Sequence, residues 1–504
     1  MEDITGALEL VSIQEDLRNS FVEDNKSIIF CGSLAPESTS YSMAKYESSS
    51  INIEVNAFMN KTKEIISEIK PIEESTRNKR NEKIDDDRCL IPIRIGEMLT
   101  GGRAEKACRM ILQHSTVSLV HFMIWGIKFD ADSAPLVYLR DLSLNGMLVN
   151  GQTIGRNLTV LLYDGDIIEV RCVAVFLFRD FECSQYLQPA RRESTIKDWT
   201  ISSRILGSGS FGSVYVAKYK NEKINFAVKV IKGLSNSKNL PLRQERFKNE
   251  AEILLQIDHP NIIKVHDTIL LDDHIYIFED LICGGDLFSY LIKGNCLKAI
   301  PENEVILIVF QLLQALDYLH NHLQVIHRDL KLDNVLLKAP IPCTKIILCD
   351  FGIAKSLQRL NQRTKTIVGT VEYSAPEIFT LDKRLHESNN IHSFAKTWLK
   401  GEGYDYKCDT WSLGVMIHIM LSGISPFYSD GDEIGMVKSA KLGKLNFEQH
   451  QWRNVSPAAK DFIKKLVEVE PIKRYNIKEC MKHEWISKRH LQLKQIYESK
   501  ILCQ

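Results

Sequence analysis

Between residues 207 and 377 the sequence sets glycines, a strand lysine, carboxylates and an asparagine in an order suited to work on phosphate oxygens. Gly207-Ser-Gly209-Ser-Phe-Gly212-Ser-Val214 lies between two strand-like segments. A lone G-x-G-x-x-G also marks dinucleotide-binding domains, but there a helix follows the glycines, and here a strand does. That context favours a glycine-rich lid over phosphates. Phe226-Ala-Val-Lys229 then places an ammonium on an alternating strand, at a distance downstream from which it reaches α/β-phosphate oxygens; an isolated strand lysine would otherwise be solvated surface. In RFKNEAEILLQIDHPNII, Glu250 faces the right way to pair with Lys229, with Glu252 as the alternate. His327-Arg328-Asp329-Leu-Lys331-Leu-Asp333-Asn334, Asp350-Phe351-Gly352 and Ala375-Pro376-Glu377 follow. Six such elements do not fall into this order and spacing by chance.

A second set lies upstream: Gly102-Arg103, Ser118-Leu-Val-His121, and Asp141-Leu-Ser-Leu-Asn145-Gly146-Met-Leu-Val-Asn150-Gly151. Taken singly, each fragment is turn chemistry, since Asn-Gly pairs mark hairpins.

The elements that must position these groups divide the chain. Its 504 residues suggest about three domains at about 150 residues each. Residues 1–80 form a polar N-terminal extension, with a weak strand-like patch at Ser27 to Cys31 and a possible helix from Ala57 to Ile69. The charge-dense run Arg77 to Arg88 reads as solvated linker, with a weak nuclear-import patch as the alternative. Residues 81–180 carry short apolar alternations broken by Gly, Asn and Asp, the texture of a β-sandwich. After a polar linker, 181–198, residues 199–487 open with strand-like segments and continue with helical stripes, so a β-rich lobe precedes an α-rich one. The stripe Glu302 to His322 is too apolar for a wet helix and belongs to a core. Residues 488–504 read as a C-terminal tail.

Composition narrows the function classes. Lys plus Arg and Asp plus Glu are both 64, so nothing suggests direct nucleic-acid binding through a global basic charge. With 44% hydrophobic and 25% charged residues the chain can bury a core over most of its length. The twelve cysteines are scattered, with no zinc spacing, which fits a reducing compartment. No apolar run reaches the roughly 18 residues of a membrane span.

From about residue 199 to 490 the sequence resembles the eukaryotic protein kinase family. The resemblance implies a bilobal α+β fold using ATP and Mg2+, with Gly207, Gly209, Gly212, Val214, Lys229 and Glu250 holding the nucleotide and the hinge Asp280 to Ile282 meeting adenine. It implies that Asp329 accepts the proton of the substrate hydroxyl, that Lys331 neutralises the transferring phosphoryl, and that Asn334 with Asp350 holds the metal. Lys331 and Thr370 look like serine/threonine kinases rather than tyrosine kinases. Asp409 resembles the aspartate that braces the catalytic loop, and Arg474 the partner of Glu377. Glu279 falls at the gatekeeper position, where an apolar residue or threonine is commoner. Asp286 and Asp333 stand where kinases of basic substrates bind an arginine three residues before the phosphoacceptor, an R-x-x-[S/T] motif. Arg363-Thr-Lys-Thr366 puts Thr366 in that register, as a site of trans autophosphorylation whose phosphate would pair with Arg328, while Thr370 orders the substrate-facing loop.

The upstream set resembles the forkhead-associated (FHA) domain, a β-sandwich that reads phosphothreonine. On that resemblance Arg103 and Ser118 contact phosphate, Asn145 bonds the peptide backbone, and His121 and Asn150 fix loops. A competing register would put Glu97 at the arginine position; Arg103 is preferred because Cys108 to Ser118 then aligns without a gap, and Met147 departs from the usual threonine. The whole is a multidomain chain, an FHA β-sandwich followed by a kinase, similar to the checkpoint effector kinases and within them to the meiosis-specific ones of budding yeasts. That similarity implies a nuclear, chromosome-associated enzyme of the meiotic recombination checkpoint that restrains sister-chromatid repair. Its partners would be a phosphothreonine-bearing scaffold, a meiotic chromosome-axis protein, on which the chain self-associates, and substrates with arginine at −3. A mitotic DNA-damage effector kinase is the alternative, and a pseudokinase adaptor, suggested by Glu279 and Val371, a more distant one.

Overall fold

The computed structural model describes residues 65–71, 91–128, 135–180, 194–209, 212–220, 222, 224–232, 251–271, 274–293, 296–350, 371–378, 406–428 and 433–504. Eleven strands build the first unit: β1 (Ile65–Pro71), β2 (Ile91–Arg94), β3 (Met98–Gly102), β4 (Met110–Ile111), β5 (Phe122–Ile127), β6 (Leu136–Asp141), β7 (Met147–Val149), β8 (Gln152–Thr153), β9 (Thr159–Leu161), β10 (Ile167–Val170) and β11 (Ala174–Asp180). They form two sheets, β2-β1-β11-β10-β7-β8 and β4-β3-β5-β6-β9. Phe122, Ile124, Val137 and Leu139 of one sheet meet Ile168, Val170, Phe176 and Phe178 of the other in a dry core. This is the sandwich that the alternating segments imply.

Two differences from expectation lie at its start. The helix expected over Ala57 to Ile69 is replaced, from Ile65 on, by strand β1, and the sandwich therefore begins before residue 81. β-Branched Ile65, Ile66 and Ile69 suit a strand, and β1 fills the gap between β2 and β11, two edges that would otherwise lack partners. The strand-like patch at Ser27 to Cys31 lies outside the described residues.

The second unit opens with one antiparallel sheet of six strands: β12 (Ser194–Ile196), β13 (Trp199–Gly209), β14 (Gly212–Tyr219), β15 (Asn225–Lys232), β16 (Val265–Leu271) and β17 (His274–Asp280), in the order β12-β13-β14-β15-β17-β16. Trp199 is its centre: the indole stacks on Phe278 at 4.1 Å, meets Phe226 edge-on at 5.2 Å and donates Nε1–H to Asp267 Oδ2 at 3.0 Å.

The helical lobe follows, with α1 (Leu287–Leu291), α2 (Glu302–Asp317), α3 (Lys407–Ser422), α4 (Glu433–Leu442), α5 (Pro457–Leu466), α6 (Ile477–Lys482), α7 (Glu484–Ser487) and α8 (His490–Ile496). Two short antiparallel pairs sit among them, β18 (Ile292–Lys293) with β19 (Cys296–Leu297) and β20 (Val335–Leu337) with β21 (Ile346–Leu348). As its apolar stripe requires, α2 is buried along nearly its whole length, and its first residue, Glu302, accepts from Ser456 Oγ at 2.6 Å and Trp485 Nε1 at 2.8 Å. Residues 488–504, expected as a tail, are folded onto this lobe: Leu493, Ile496 and Ile501 are buried, and the Tyr497 hydroxyl is bonded to Asn261. No helix among the described residues is long and apolar enough to cross a membrane.

One ion pair ties the segment that ends in Glu377 to the base of this lobe. Arg474, wholly buried, holds Glu377 through two parallel bonds, Nη1 to Oε1 at 2.7 Å and Nη2 to Oε2 at 3.0 Å. It also donates to the carbonyls of Lys407 and Glu468 and lies over the Trp411 ring. Removing one partner of such a pair strands the other, at a cost of about 3 kcal/mol. Arg474→Ala should therefore lower the urea midpoint of the full chain by a corresponding amount; an unchanged midpoint would show that the pair contributes nothing.

Candidate active site and phosphate-reading edge

The glycine segment covers the end of β13 and the start of β14, with Gly209 opposite Gly212 and Gly207 opposite Val214. Gly212 has φ +145°, and a Cβ there would stand 2.0 Å from the carbonyl oxygen of Val230, so only glycine lets the hairpin lie this close to β15. Val214 is in turn opposite Lys229 on β15, which brings lid and lysine together.

Lys229 Nζ is bonded to Asp350 Oδ1 at 2.5 Å. Burial opposes its charge, but the charge and hydrogen bond of Asp350 outweigh that and hold the lysine above its ordinary value. Glu250, its expected partner, lies outside the described residues, as do Phe351, Gly352, Thr366 and Thr370. Glu252 is exposed.

Residues 327–334 hang from α3. Asp409, 1% exposed, accepts the backbone N–H of His327 at 2.8 Å and of Arg328 at 2.9 Å, and lies 2.8 Å from His320 Nε2. Burial would raise its pKa, yet the hydrogen bond and charge of His320, then His327 and the Arg328 N–H, bring it below the ordinary aspartate value. Burial keeps His327 neutral, so its Nε2–H donates to the Cys349 carbonyl at 2.9 Å and its Nδ1 accepts the Asp329 N–H at 3.3 Å. Asn334 then fixes Asp329 from the other side, its Nδ2 donating to the Asp329 carbonyl at 2.7 Å and to Oδ2 at 3.2 Å. Arg328 and Asp350 both have left-handed backbones, φ 67° and 57°. Lys331 flanks the small cavity beneath this loop.

The hinge segment is sewn to both lobes: Asp280 N–H bonds the Lys264 carbonyl at 3.1 Å, the Gly284 N–H donates to the Leu337 carbonyl and the Leu337 N–H to the Gly285 carbonyl, both at 2.8 Å. Ile282 is buried. Asp286 caps α1, accepting Ser289 N–H at 2.7 Å and Oγ–H at 2.8 Å. Burial first, then the Asp333 charge, push Asp286 up to about 6, and burial also raises Asp333. Glu372 was not among the expected residues; burial, and secondarily Asp333, push it to about 6. The signal for it in V-E-Y is one acidic letter beside a loop, which carries no direction.

In the sandwich, Arg103 and Ser118 come together at one edge, the Arg103 N–H donating to the Ser118 carbonyl at 3.1 Å. Arg103 is exposed. Gly102 must be glycine, because a Cβ would sit 2.3 Å from the Leu119 carbonyl oxygen. Ser118 Oγ accepts the Leu144 N–H at 3.3 Å, and Asn145 Nδ2 donates to the Thr116 carbonyl at 2.7 Å, so Asn145 joins the same edge. Glu97, the competing register, is instead engaged by Arg109 at 3.2 Å. His121 accepts the Ser118 N–H on Nδ1 at 3.0 Å, and Asn150 bonds Asp166 and Ile167. Asp141, read only as part of a motif, proves to organise the Asn145 loop: its carboxylate accepts from Ser143 N–H, Ser143 Oγ–H and Met147 N–H.

A glycine lid, a lysine on the neighbouring strand and a catalytic loop hung from a buried aspartate define a protein kinase, here joined to a phosphate-reading sandwich. A protein kinase domain is matched over residues 201–486 and an FHA domain over residues 99–171. The meiosis-specific serine/threonine-protein kinase MEK1 of Saccharomyces cerevisiae is 45% identical over 438 residues, covering 82% of this chain and 85% of that protein. The kinase mek1 of Schizosaccharomyces pombe is 35% identical over 451 residues, covering 87% and 95%. The ovarian-specific kinase Lok of Drosophila melanogaster is 31% identical over 379 residues, covering 73% of each. The chain belongs to this family of FHA-domain serine/threonine protein kinases. It binds ATP and protein substrates through the kinase domain and phosphothreonine peptides through the FHA domain.

One feature of the cleft is unusual for its chemistry. Glu279 is opposite Ala227 on β15, which makes it a diagonal neighbour of Lys229 on the same face of the sheet. Burial, and then the Asp350 charge, push its carboxyl up to about 8 against the pull of Lys229. The folded chain thus holds a proton that the unfolded chain releases near the ordinary value of 4.5. Stability from this group is complete below that pH and is lost as pH rises through about 8. Glu279→Gln removes the dependence, so its melting temperature should fall less between pH 6 and pH 9 than that of the parent chain. An equal fall in both would show that Glu279 does not carry the proton.

Proposed function

We propose that the chain transfers the ATP γ-phosphate to Ser or Thr three residues after an arginine, and that its FHA domain recruits it to a phosphorylated scaffold, where trans autophosphorylation of Thr366 activates it. The supporting observation is the catalytic loop, in which Asp409 holds the His327 N–H, His327 holds the Asp329 N–H and Asn334 bonds the Asp329 carboxylate. The proposed partition follows the sequence reading of FHA domain 81–180, linker 181–198 and kinase domain 199–487, except that strand β1 joins the sandwich and strand β12, read as linker, and helix α8 join the kinase fold.

Each residue then has a task. Asp329 accepts the proton of the attacking hydroxyl, and Lys331 offsets charge on the transferring phosphoryl. Lys229 grips α/β-phosphate oxygens once they displace Asp350, and the hinge from Asp280 to Ile282 offers backbone groups to adenine. Asp350 with the amide oxygen of Asn334 makes a small set of hard oxygen donors, which suits Mg2+ because that ion completes its shell with waters and phosphates. When bound, Mg-ATP supplies the electrophilic phosphoryl and the metal's charge. Gly207, Gly209, Gly212 and Val214 cover the nucleotide, and Glu250 takes over Lys229. A phosphate on Thr366 would pair with Arg328, and Thr370 would order the substrate loop.

The same scheme assigns Asp286, Asp333 and Glu372 to the arginine of the substrate. Arg103 and Ser118 would grip the phosphothreonine and Asn145 the peptide backbone. Two chains held on one scaffold meet at millimolar effective concentration, on the order that short tethers give, which favours phosphorylation in trans. The relatives named meiosis-specific support a role in meiosis, and we assign the chain to the nucleus, on chromosome-axis scaffolds, in the recombination checkpoint that restrains sister-chromatid repair.

Purified full chain with Mg-ATP should phosphorylate an R-x-x-T peptide well ahead of its A-x-x-T counterpart and label its own Thr366, whereas Asp329→Ala should do neither. Because the Asp286 carboxyl titrates near 6 and loses its hold on arginine when protonated, the preference for arginine should shrink about three- to fivefold between pH 7.5 and pH 5.5. Equal rates on both peptides at pH 7.5 would overturn the assignment of these carboxylates, and phosphotransfer by Asp329→Ala would overturn that of the base.

A further inference from the structure

Strands β5 and β6 of the sandwich are buried at every position. An antiparallel sheet with one dry face would alternate, as most strands here do, so a run such as FMIWGI or LVYLRD means that both faces are covered. Phe122, Ile124, Val137 and Leu139 face the core of the sandwich. Met123, Trp125, Ile127, Leu136 and Tyr138 point the other way, into a second apolar cluster shared with the kinase. Alone, the sandwich would expose a patch larger than the few hundred Å2 that soluble surfaces usually carry, since each aromatic ring in it buries about 150–250 Å2.

What covers that face is the surround of the nucleotide cleft. From the strand lobe come Leu206, immediately before the lid glycines, with Val216 and Ala227, the last of these two residues before Lys229. Cys283 comes from the hinge exit and Ala339 from the helical lobe, so the sheet bridges both lobes. Trp125 Nε1–H donates to the Cys283 carbonyl at 2.8 Å, and both groups are buried. Ile127 lies over Gly285, its Cδ1 3.5 Å from where a Cβ would stand. On the strand-lobe side Arg204 donates to the carbonyls of Leu162 at 3.4 Å and Pro135 at 3.3 Å and lies 5.0 Å from the centre of the Tyr163 ring.

We propose that the outer face of the FHA sheet is a positioning element of the kinase, with Trp125 as the residue that holds the hinge carbonyl of Cys283 and so fixes the separation of the two lobes around ATP. The lobes can change their separation only by bending this hinge. A rigid sheet packed on both sides of it keeps a larger share of molecules at the spacing that grips nucleotide. Apparent affinity scales with that share, so loosening the brace weakens ATP binding while leaving the chemistry of a bound complex intact.

The test uses the full chain. Trp125→Phe keeps the apolar body and removes the donor; Arg204→Met keeps the length of the side chain and removes the bonds to the sandwich. Each should raise the KM for ATP, by about five- to tenfold for Trp125→Phe as the competent share falls. The kcat at saturating ATP should stay within about twofold, and affinity for a phosphothreonine peptide should be unchanged, which shows that the sandwich is folded. A KM for ATP unchanged in both variants would overturn the proposal. A KM that falls, or a kcat that rises, would also overturn it, by showing that the sheet obstructs the cleft. If Trp125→Phe fails to fold, Arg204→Met decides by the same readings.

Discussion

The carboxylate of Asp409 is the interaction on which the rest of the active site depends. It lies at the start of helix α3, whose residues are almost all buried, and it accepts two successive backbone N–H groups of the catalytic loop. One of these belongs to Arg328, whose left-handed backbone costs about 1–3 kcal/mol. Hydrogen bonds to a charged group contribute about 1.5–3 kcal/mol each, enough to hold that conformation. With the backbone turned in this way, Asp329 follows in a place where His327 meets its N–H and Asn334 its carboxylate. Asp409, His327, Asp329 and Asn334 are all buried.

Two ends of the chain thus serve one centre. The helical lobe supplies the anchor for Asp329, and Arg474 ties Glu377 to the same helix. The strand lobe supplies lysine and lid. The sandwich does not stand apart from either lobe, because its outer sheet face and the hinge share one apolar cluster. Asp350 pairs with Lys229, so the lysine that would grip phosphates is held by the residue that would hold the metal. Beside that pair stands Glu279, whose carboxyl group keeps its proton up to about pH 8 and so adds no third charge to the enclosure.

Much of this was legible in the sequence where one residue type has one use. Gly212 can be nothing else beside Val230, and H-R-D with an asparagine five residues after the aspartate's own position defines a loop whose partner, Asp409, also carried its own motif. The pairing of Arg474 with Glu377 followed from the same pattern. Strand β1 was not legible, because Ile65, Ile66 and Ile69 satisfy a helical spacing as well as a strand, and only the open edges of β2 and β11 decide between them. The folding of residues 488–504 onto the helical lobe depends on long-range burial of Leu493, Ile496 and Ile501, which a short polar-looking segment does not announce. Asp286 also caps α1, a second task that Asp-x-x-Ser encodes and that the substrate-contact reading does not mention. Glu250, the expected partner of Lys229, lies outside the described residues, and the carboxylate that the structure places on the lysine is Asp350.

The most direct test of the account is the turnover of Asp409→Asn, which keeps the size of the side chain but exchanges a carboxylate for an amide with one acceptor oxygen. If the loop geometry rests on that charge, kcat should fall about 100-fold, the order expected for a misplaced catalytic group, with the KM for ATP little changed because lid, lysine and hinge are untouched. A kcat equal to that of the parent chain would contradict the account at its centre.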